Sequence, residues 1–352
     1  MFAQVQQPEQ LAPHELDEYL ARGWFRMGQT IFTTNFVHFN DTFYSAIWLR
    51  LRLTEFESGS TQLKLFKRNA RFRTEIKPAT ITSEKEELYA HYKESLAFEP
   101  SASLMQLLYR GTNLPSVYNT YEVAVYDQNH LIAIGYFDLG ATAAEGITSV
   151  YHPDYKKYSL GKYLIYQKIN YCKQLGLTYF YPGYFVPGYP YFDYKLSIGK
   201  NALEFLQLNS RQWLPIQSFS PACIPIMVME EKLVLLQKLL AEKNIISSVL
   251  KYEYFDANLV PELRDAELFD FPVILLFESS VDDHSNPMVV FDPQDGCYHL
   301  ITFSPVWLTG STSISTSIFS SHVLKMDQEI CHTPDATVIL DLVSNHFQST
   351  TK

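Results

Sequence analysis

Features of exported and membrane proteins are scarce in this 352-residue sequence. It has only four cysteines, which are widely spaced and form no paired motif, and no run approaches the ~18 apolar residues of a membrane-spanning helix. The first residues, MFAQVQQPEQL, have neither the basic nor the apolar region of a signal peptide. We therefore expect reduced thiols, no metal, no cofactor, no membrane partner and a cytoplasmic location.

Basic residues are also too few to dominate the charge. The formal net charge is −10, which argues against a protein that coats nucleic acid through its overall charge. The acidity is uneven, because residues 217–352 hold 7 Lys/Arg and 18 Asp/Glu whereas residues 1–216 hold 21 and 20. Hydrophobic residues make up 47% of the chain, which suffices for packed cores, and the two parts are expected to have different roles.

Residues 147–195 predict a strand, a loop, a helix, a second strand and then a loop rich in Tyr, Gly and Pro. Apolar residues recur at helical spacing from Leu160 to Leu175, after Ser159 at the N-cap position and before Gly176 at the C-terminal stop. Pro182-Gly183 is expected to end the second strand. This pattern is one βαβ crossover, whose helix N-terminus presents free N–H groups to an acyl or phosphate-bearing ligand.

The order of the other elements predicts a mixed α/β sheet. A capped helix at Ser83–Phe98 is followed by a hairpin of Tyr121–Tyr126 and Leu131–Leu139, and then by the crossover. This order is similar to that of the GCN5-related N-acetyltransferase fold, in which two central strands splay apart to admit an acyl donor. The acidic C-terminal part predicts an α+β appendage with a helix at Glu230–Asn244 and a Ser/Thr-rich loop or weak strand at 309–321.

A basic segment precedes the first of these helices. It contains one acid, Glu75, among the cations Lys64, Lys67, Arg68, Arg71, Arg73 and Lys77. The pattern fits a track for a polyanion such as RNA, and it equally fits a solvated surface element. The residues alone leave both interpretations open.

Five short motifs occur in order between residues 131 and 217. They are SVYHPDY from Ser149, SLG from Ser159, YFYPGY from Tyr179, PYFDYK from Pro190 and WLPI from Trp213. Together they resemble the C-terminal catalytic domain of the arginyl-tRNA–protein transferases and their bacterial leucyl-transferring relatives. RGWFRMG from Arg22 and KRN from Lys67 resemble N-terminal elements of the same family, so the resemblance covers residues 15–216.

The resemblance implies transfer of an amino acid, arginine by family, from aminoacyl-tRNA to the α-amine of a protein N-terminus. It implies three regions: an N-terminal transferase-family region at 1–80, a GCN5-related N-acetyltransferase-like domain at 81–216 and an acidic accessory domain at 217–352. The family's cysteine cluster falls near Asn40, Phe43 and Ala46, so no cluster is expected here. An acetyl-CoA-dependent N-acyltransferase and a non-catalytic RNA- or protein-binding relative remain alternatives, and the sequence predicts no oligomeric state.

The resemblance also implies site residues. The expected catalytic residues are Asp138, Tyr181 and Tyr184, with Asp138 as proton acceptor. The expected substrate-binding residues are Arg26, Gly28, Arg68, Asn69, Ser159, Gly161, Gly183, Tyr194 and Lys195. Among them, Arg26 would pair with an acidic side chain of the acceptor, Gly161 would approach the donor, and Lys195 would contact phosphate or the acceptor residue.

Overall fold

The computed structural model describes residues 1–96, 100–111, 115–277, 287–309 and 317–350. The α-helices within them are α1 Pro13–Ala21, α2 Ser60–Asn69, α3 Ser83–Glu94, α4 Leu104–Tyr109, α5 Leu160–Gln174, α6 Pro225–Glu242 and α7 Ala336–Thr350. The strands are β1 Gln4–Gln6, β2 Phe25–Met27, β3 Thr30–Thr33, β4 Phe36–Phe39, β5 Thr42–Ser45, β6 Ile47–Arg52, β7 Arg73–Pro78, β8 Thr120–Asp127, β9 His130–Leu139, β10 Ala143–Tyr151, β11 Tyr179–Phe185, β12 Leu203–Gln207, β13 Gln212–Pro215, β14 Ser247–Tyr252, β15 Val273–Phe277, β16 Met288–Asp292, β17 Cys297–Leu308, β18 Ile318–Phe319 and β19 His322–Thr333.

An eight-stranded sheet forms the centre of the fold, in the order β13-β12-β6-β11-β10-β9-β8-β7. The β10 and β11 strands are parallel and joined by α5, whereas the other pairs of this sheet are antiparallel. Leu160, Leu164 and Ile169 of α5 are fully buried against the sheet, and Gly176 ends the helix at φ 75°. The mixed α/β sheet and the predicted βαβ crossover are therefore confirmed.

Three sequence-based boundaries were wrong. The sequence pattern of residues 24–34 predicts one strand, whereas the structure has a hairpin of β2 and β3, because Gly28 turns the chain at φ 66°. The β11 strand does not end at Pro182-Gly183 but passes through a bulge there and continues to Phe185. The α3 helix ends at Glu94, and positions 97–98 of the longer predicted helix lie outside the described residues, as do positions 310–316 of the predicted Ser/Thr-rich loop.

Strands from the first 80 residues take part in the central sheet. The β6 strand lies between β11 and β12, and β7 forms the edge next to β8. In the sequence of β6, Ile47, Leu49 and Leu51 alternate with Trp48, Arg50 and Arg52, which predicts that the two arginines share one face. The structure confirms this, and both arginines pair with Glu204. The division of the chain at residue 80 stays a prediction, and the sheet joins segments from both of its sides.

The C-terminal part forms a six-stranded sheet in the order β18-β14-β15-β16-β17-β19. The α6 helix packs its buried face, which includes Leu233 and Leu236, into the core of this sheet, and α7 contributes Ile339. Phe2 from the start of the chain is buried in the same core. Among the described residues, no helix is long and apolar enough to cross a membrane.

Candidate active site

A cleft opens where two parallel strands separate. The β10 and β11 strands pair over only three positions, the last of which joins Glu145 to Tyr181. Beyond this point β10 follows β9 to Tyr151, whereas β11 pairs with β6 from Gly183 to Phe185. The strand ends therefore diverge, and the outer backbone edge of β10 past Glu145 faces the cleft without β11 as its partner.

The N-terminus of α5 lies at this opening. Ser159 precedes the helix as predicted, but its side chain makes no capping hydrogen bond and its backbone has φ 54°. Gly161 lies against Tyr151, since a Cβ on Gly161 would come 3.4 Å from the Tyr151 Cε1 atom. Tyr151 thus packs against the first turn of α5 while Ser159 is exposed, and the predicted contact of Ser159 and Gly161 with a donor stays a prediction.

The C-terminal end of α2 supports the loop before α5. Asn69 is fully buried, and its Nδ2 atom donates to the Tyr158 carbonyl at 3.1 Å. Arg68 is exposed and donates to the Lys157 carbonyl at 3.2 Å. Both residues predicted to bind substrate therefore position the loop that leads to Ser159, and their contact with tRNA stays a prediction.

Four tyrosines from three segments surround the opening. Tyr92 of α3 lies with its ring centroid 5.3 Å from that of Tyr151 at the end of β10. Burial first, and then the phenols of Tyr191, Tyr151 and Tyr194, raise the pKa of Tyr92. Tyr194 was predicted and is partly exposed at the rim, whereas the other three were missed, because only their spatial proximity marks them.

Lys195 lies at the β11 side of the cleft, on the short helical segment Pro190–Ser197. The residue is 8% exposed, and its Nζ atom donates to the Tyr184 carbonyl at 2.7 Å. It lies 5.0 Å from the Phe192 ring centroid, and Gly183 makes room for it, since a Cβ there would be 3.1 Å from Nζ. Burial lowers the pKa of Lys195 to about 7. The structure therefore brings three predicted residues, Gly183, Tyr184 and Lys195, together.

Arg26 and Asp138 form a buried ion pair. The Arg26 NH1 atom lies 2.9 Å from the Asp138 Oδ1 atom, and the side chains are 1% and 0% exposed. Arg26 also donates to the Gly28 carbonyl at 2.7 Å, and Asp138 accepts from the Thr120 hydroxyl at 2.6 Å. Their predicted roles in acceptor binding and proton transfer stay predictions that compete with these internal bonds.

A second carboxyl group accompanies this pair. Glu145 lies opposite Asp138 on the neighbouring strand and is 1% exposed. Burial, and then the Asp138 carboxylate, raise the pKa of Glu145 well above its ordinary value. Sequence analysis missed Glu145, because its partner is set by the strand register and not by local spacing.

Tyr181 and Tyr184 have different surroundings although both lie on β11. Tyr181 is 1% exposed and packs between Phe25 and Trp213, and burial raises its pKa to about 12. Tyr184 is half-buried and contacts Trp48 with ring centroids 4.9 Å apart. Tyr184 thus reaches the cleft beside Lys195, whereas Tyr181 lies in the core beneath it, and the catalytic roles of both stay predictions.

The splayed strand pair, with a helix N-terminus at its opening, defines a fold of the GCN5-related N-acetyltransferase class, as predicted. Two of the solved structures similar to this chain are FemX (10% identity, TM-score 0.32, covering 52% of this chain and 64% of that one) and the ribosomal-protein-S18-alanine N-acetyltransferase from Escherichia coli (17%, TM-score 0.23, 30% and 63%).

Sequence comparison finds a match to one family model and to named relatives. Residues 84–204 match the family model described as arginine-tRNA-protein transferase, C terminus. The aspartate/glutamate leucyltransferase of Leptospira interrogans is 27% identical over 216 residues, which are 60% of this chain and 82% of that protein. The protein of the same name from Paracoccus denitrificans is 26% identical over 217 residues, 58% of this chain and 75% of that one. The predicted resemblance is confirmed over residues 84–204, which are similar to this family.

Proposed function

We propose that this chain transfers an amino acid from an aminoacyl-tRNA to the α-amine of a protein N-terminus. The family match and the curated relatives support this activity. In the reaction, the amine nitrogen attacks the ester carbonyl carbon, an amide bond forms, the bond from that carbon to the ribose oxygen breaks, and this oxygen gains the proton that the amine loses. An activated ester and a partly neutral amine mainly need to be held together, which two diverging strands can do by each contacting one of the reactants.

The buried lysine in the cleft carries the proposal. Lys195 has one acceptor for its three N–H donors, the Tyr184 carbonyl, and no carboxylate partner among the described residues. A buried cation of this kind is stabilised when a ligand supplies a negative charge. We assign Lys195 to the side-chain carboxylate of an N-terminal Asp or Glu on the acceptor, the residue types that the names of the curated relatives contain.

Arg26 was the cation expected to bind this carboxylate. Its guanidinium is 1% exposed and already pairs with Asp138, so a ligand would have to displace an internal ion pair. Removing one partner of a buried pair leaves an uncompensated charge, which costs about 3–5 kcal/mol. Lys195 requires no such exchange and is therefore the better candidate.

We propose leucine as the donated residue. The side chains close to Lys195 are aromatic, and those in mutual ring contact are Phe39, Tyr44, Tyr184, Tyr189, Tyr191 and Phe192. An apolar leucyl group packs on such rings without a counter-charge, whereas the Lys195 ammonium repels an arginyl group. The leucyl names of the relatives support the same choice over the arginine that the resemblance implied.

The tRNA fits the basic surface beside the α5 loop. Lys64 and Lys67 of α2 and Lys156 and Lys157 of the short helix before α5 are exposed. Farther along the predicted track the charge is partly neutralised, because Glu75 pairs with the cations on both sides of it. Phosphate contacts here would make transfer weaken as salt rises.

The test compares acceptor peptides that begin with Asp or with its neutral isostere Asn. The Lys195→Met variant is expected to lose about 100-fold in kcat/KM for the Asp peptide, because one charged contact is worth about 1.5–3 kcal/mol. It is expected to change little for the Asn peptide, and Lys195→Arg is expected to keep a preference for Asp. Lys200→Met, an exposed lysine five residues away, is the matched control. Equal losses for both peptides would contradict the assignment, and acetyl transfer from acetyl-CoA would contradict the activity.

A further inference from the structure

The wall of the cleft contains a bulge at the point where the strands separate. The pairing of β10 with β9 shifts between Gly146 and Thr148, so Ile147 is an extra residue on β10. Thr148 lies opposite Tyr136 on β9. A bulge interrupts the ladder locally, so the backbone around it needs other partners to hold a defined position.

One lysine of α5 supplies these partners. The Lys168 Nζ atom donates to the Thr148 carbonyl at 2.7 Å, to the Tyr136 carbonyl at 2.8 Å and to the Ser149 hydroxyl at 3.3 Å. These three bonds use all the N–H donors of an ammonium group. The ammonium therefore ties the two strands to each other and to α5 at the bulge.

The site is shaped to admit this side chain. Lys168 is 1% exposed and forms no ion pair among the described residues. Gly135 of β9 provides the space, since a Cβ there would lie 2.8 Å from the Lys168 Cε atom and 3.0 Å from its Nζ atom. A buried ammonium that serves backbone carbonyls costs desolvation, which a purely structural apolar residue would avoid.

We propose that Lys168 is a positioning residue for acyl transfer: it holds the β10 backbone at the bulge, and thereby the edge of the cleft from Thr148 to Tyr151 that faces the donor ester. This inference rests on the proposed function. An edge displaced by about 1 Å would misplace the ester carbonyl relative to the amine, and misplacement of that size costs about 100-fold in rate. The binding of tRNA, on the exposed surface outside the cleft, would be unaffected.

The test separates the chemical step from binding. Lys168→Met keeps the length of the side chain and removes its donors, so we expect kcat to fall about 100-fold while KM for the charged tRNA changes less than about threefold. Lys173→Met is the matched control, because Lys173 lies on the same helix and donates to the Phe56 carbonyl away from the bulge. An unchanged kcat per folded molecule in Lys168→Met, with a lower melting temperature alone, would overturn the inference and show a structural role.

A second variant decides the question if Lys168→Met does not fold. Gly135→Ala keeps the charge and places a methyl group 2.8 Å from the Lys168 Cε atom, at the flexible end of that side chain, and 3.3 Å from the Thr148 carbonyl, so the largest displacement is expected at the ammonium. It is expected to show the same split between kcat and KM, and a normal kcat would overturn the inference. An inactive wild-type protein would instead refute the proposed function itself, so the two failures are distinguishable.

Discussion

If Lys195 binds the acceptor carboxylate as a cation, transfer to acidic N-termini should fall at high pH. Burial lowers the pKa of Lys195 to about 7 in the protein without ligand. The attacking α-amine has an ordinary pKa of about 7.7–8.0 and reacts only without its proton. Because kcat/KM reports the free enzyme and free substrate, both ionisations appear in its pH profile.

The expected profile follows from these two values. Below pH 7, kcat/KM for an Asp-initiated peptide rises about tenfold per pH unit as the amine loses its proton. Between about pH 7 and 8 the gain in free amine is offset by the loss of charged Lys195, so the profile is flat. Above pH 8 the amine is already neutral, and kcat/KM falls about tenfold per pH unit.

The assay measures initial rates of peptide aminoacylation by mass spectrometry from pH 6 to pH 9.5 (about the useful range for an ester donor), with ester hydrolysis followed in parallel. An Asn-initiated peptide does not need the charge on Lys195, whereas titration of the α-amine and of Lys168, whose pKa burial also lowers to about 7, affects both peptides alike. The ratio of kcat/KM for the Asp peptide to that for the Asn peptide should therefore be constant below pH 7 and fall about tenfold per pH unit above it, and it should stay constant in the Lys195→Arg variant, which remains charged. A constant ratio in the wild-type protein would refute the assignment of Lys195.

Three further outcomes are expected. Gly161→Leu should abolish transfer because the new side chain meets Tyr151, and circular dichroism should show that the variant still folds. Gly161→Ala should stay active, since its methyl group only reaches contact distance from Tyr151. Inactivity of both variants would point to an effect on the backbone instead. Asn69→Ala leaves the partly buried Tyr158 carbonyl without its donor, so the free energy of unfolding measured in urea titrations should fall by about 1–3 kcal/mol. The kcat of this variant should also fall, and full activity would exclude Asn69 from positioning the loop. Burial lowers the pKa of Lys168 and Lys195 to about 7, so above pH 7 the unfolded chain binds more protons than the folded chain. The free energy of unfolding should therefore rise between about pH 7 and 8.5, approaching about 1.4 kcal/mol per pH unit for each lysine. Lys195→Met should remove one such contribution, and an unchanged slope would show that Lys195 titrates normally.

The elements whose signals are local were predicted well from the sequence. The apolar period of α5, with Gly176 at its end, marked a helix, and the run of β-forming residues in β9 marked a strand. Alternation in β6 placed Arg50 and Arg52 on one face, where they meet Glu204. Such patterns reflect burial on one face, which neighbouring residues already encode.

The contacts that define the site could not be predicted from local patterns in the sequence. Arg26 and Asp138 are 112 positions apart, and no local feature shows that they pair rather than bind a ligand. Lys195 follows aromatic residues in a short helical segment, and its burial depends on Gly183 of β11, which leaves room for the Nζ atom. Glu145 meets Asp138 only through strand register. Tertiary packing decided which of the predicted polar residues stay available in the cleft.

The most direct test of the central claim incubates the protein with leucyl-tRNA or arginyl-tRNA and with peptides that begin with Asp, Glu, Asn or Lys. Mass spectrometry of each peptide detects an added residue on the α-amine. We expect leucine on the Asp and Glu peptides, with transfer reduced at high salt because tRNA phosphates bind a basic surface. Absence of any added residue with all donors and acceptors, from protein shown to be folded, would contradict it.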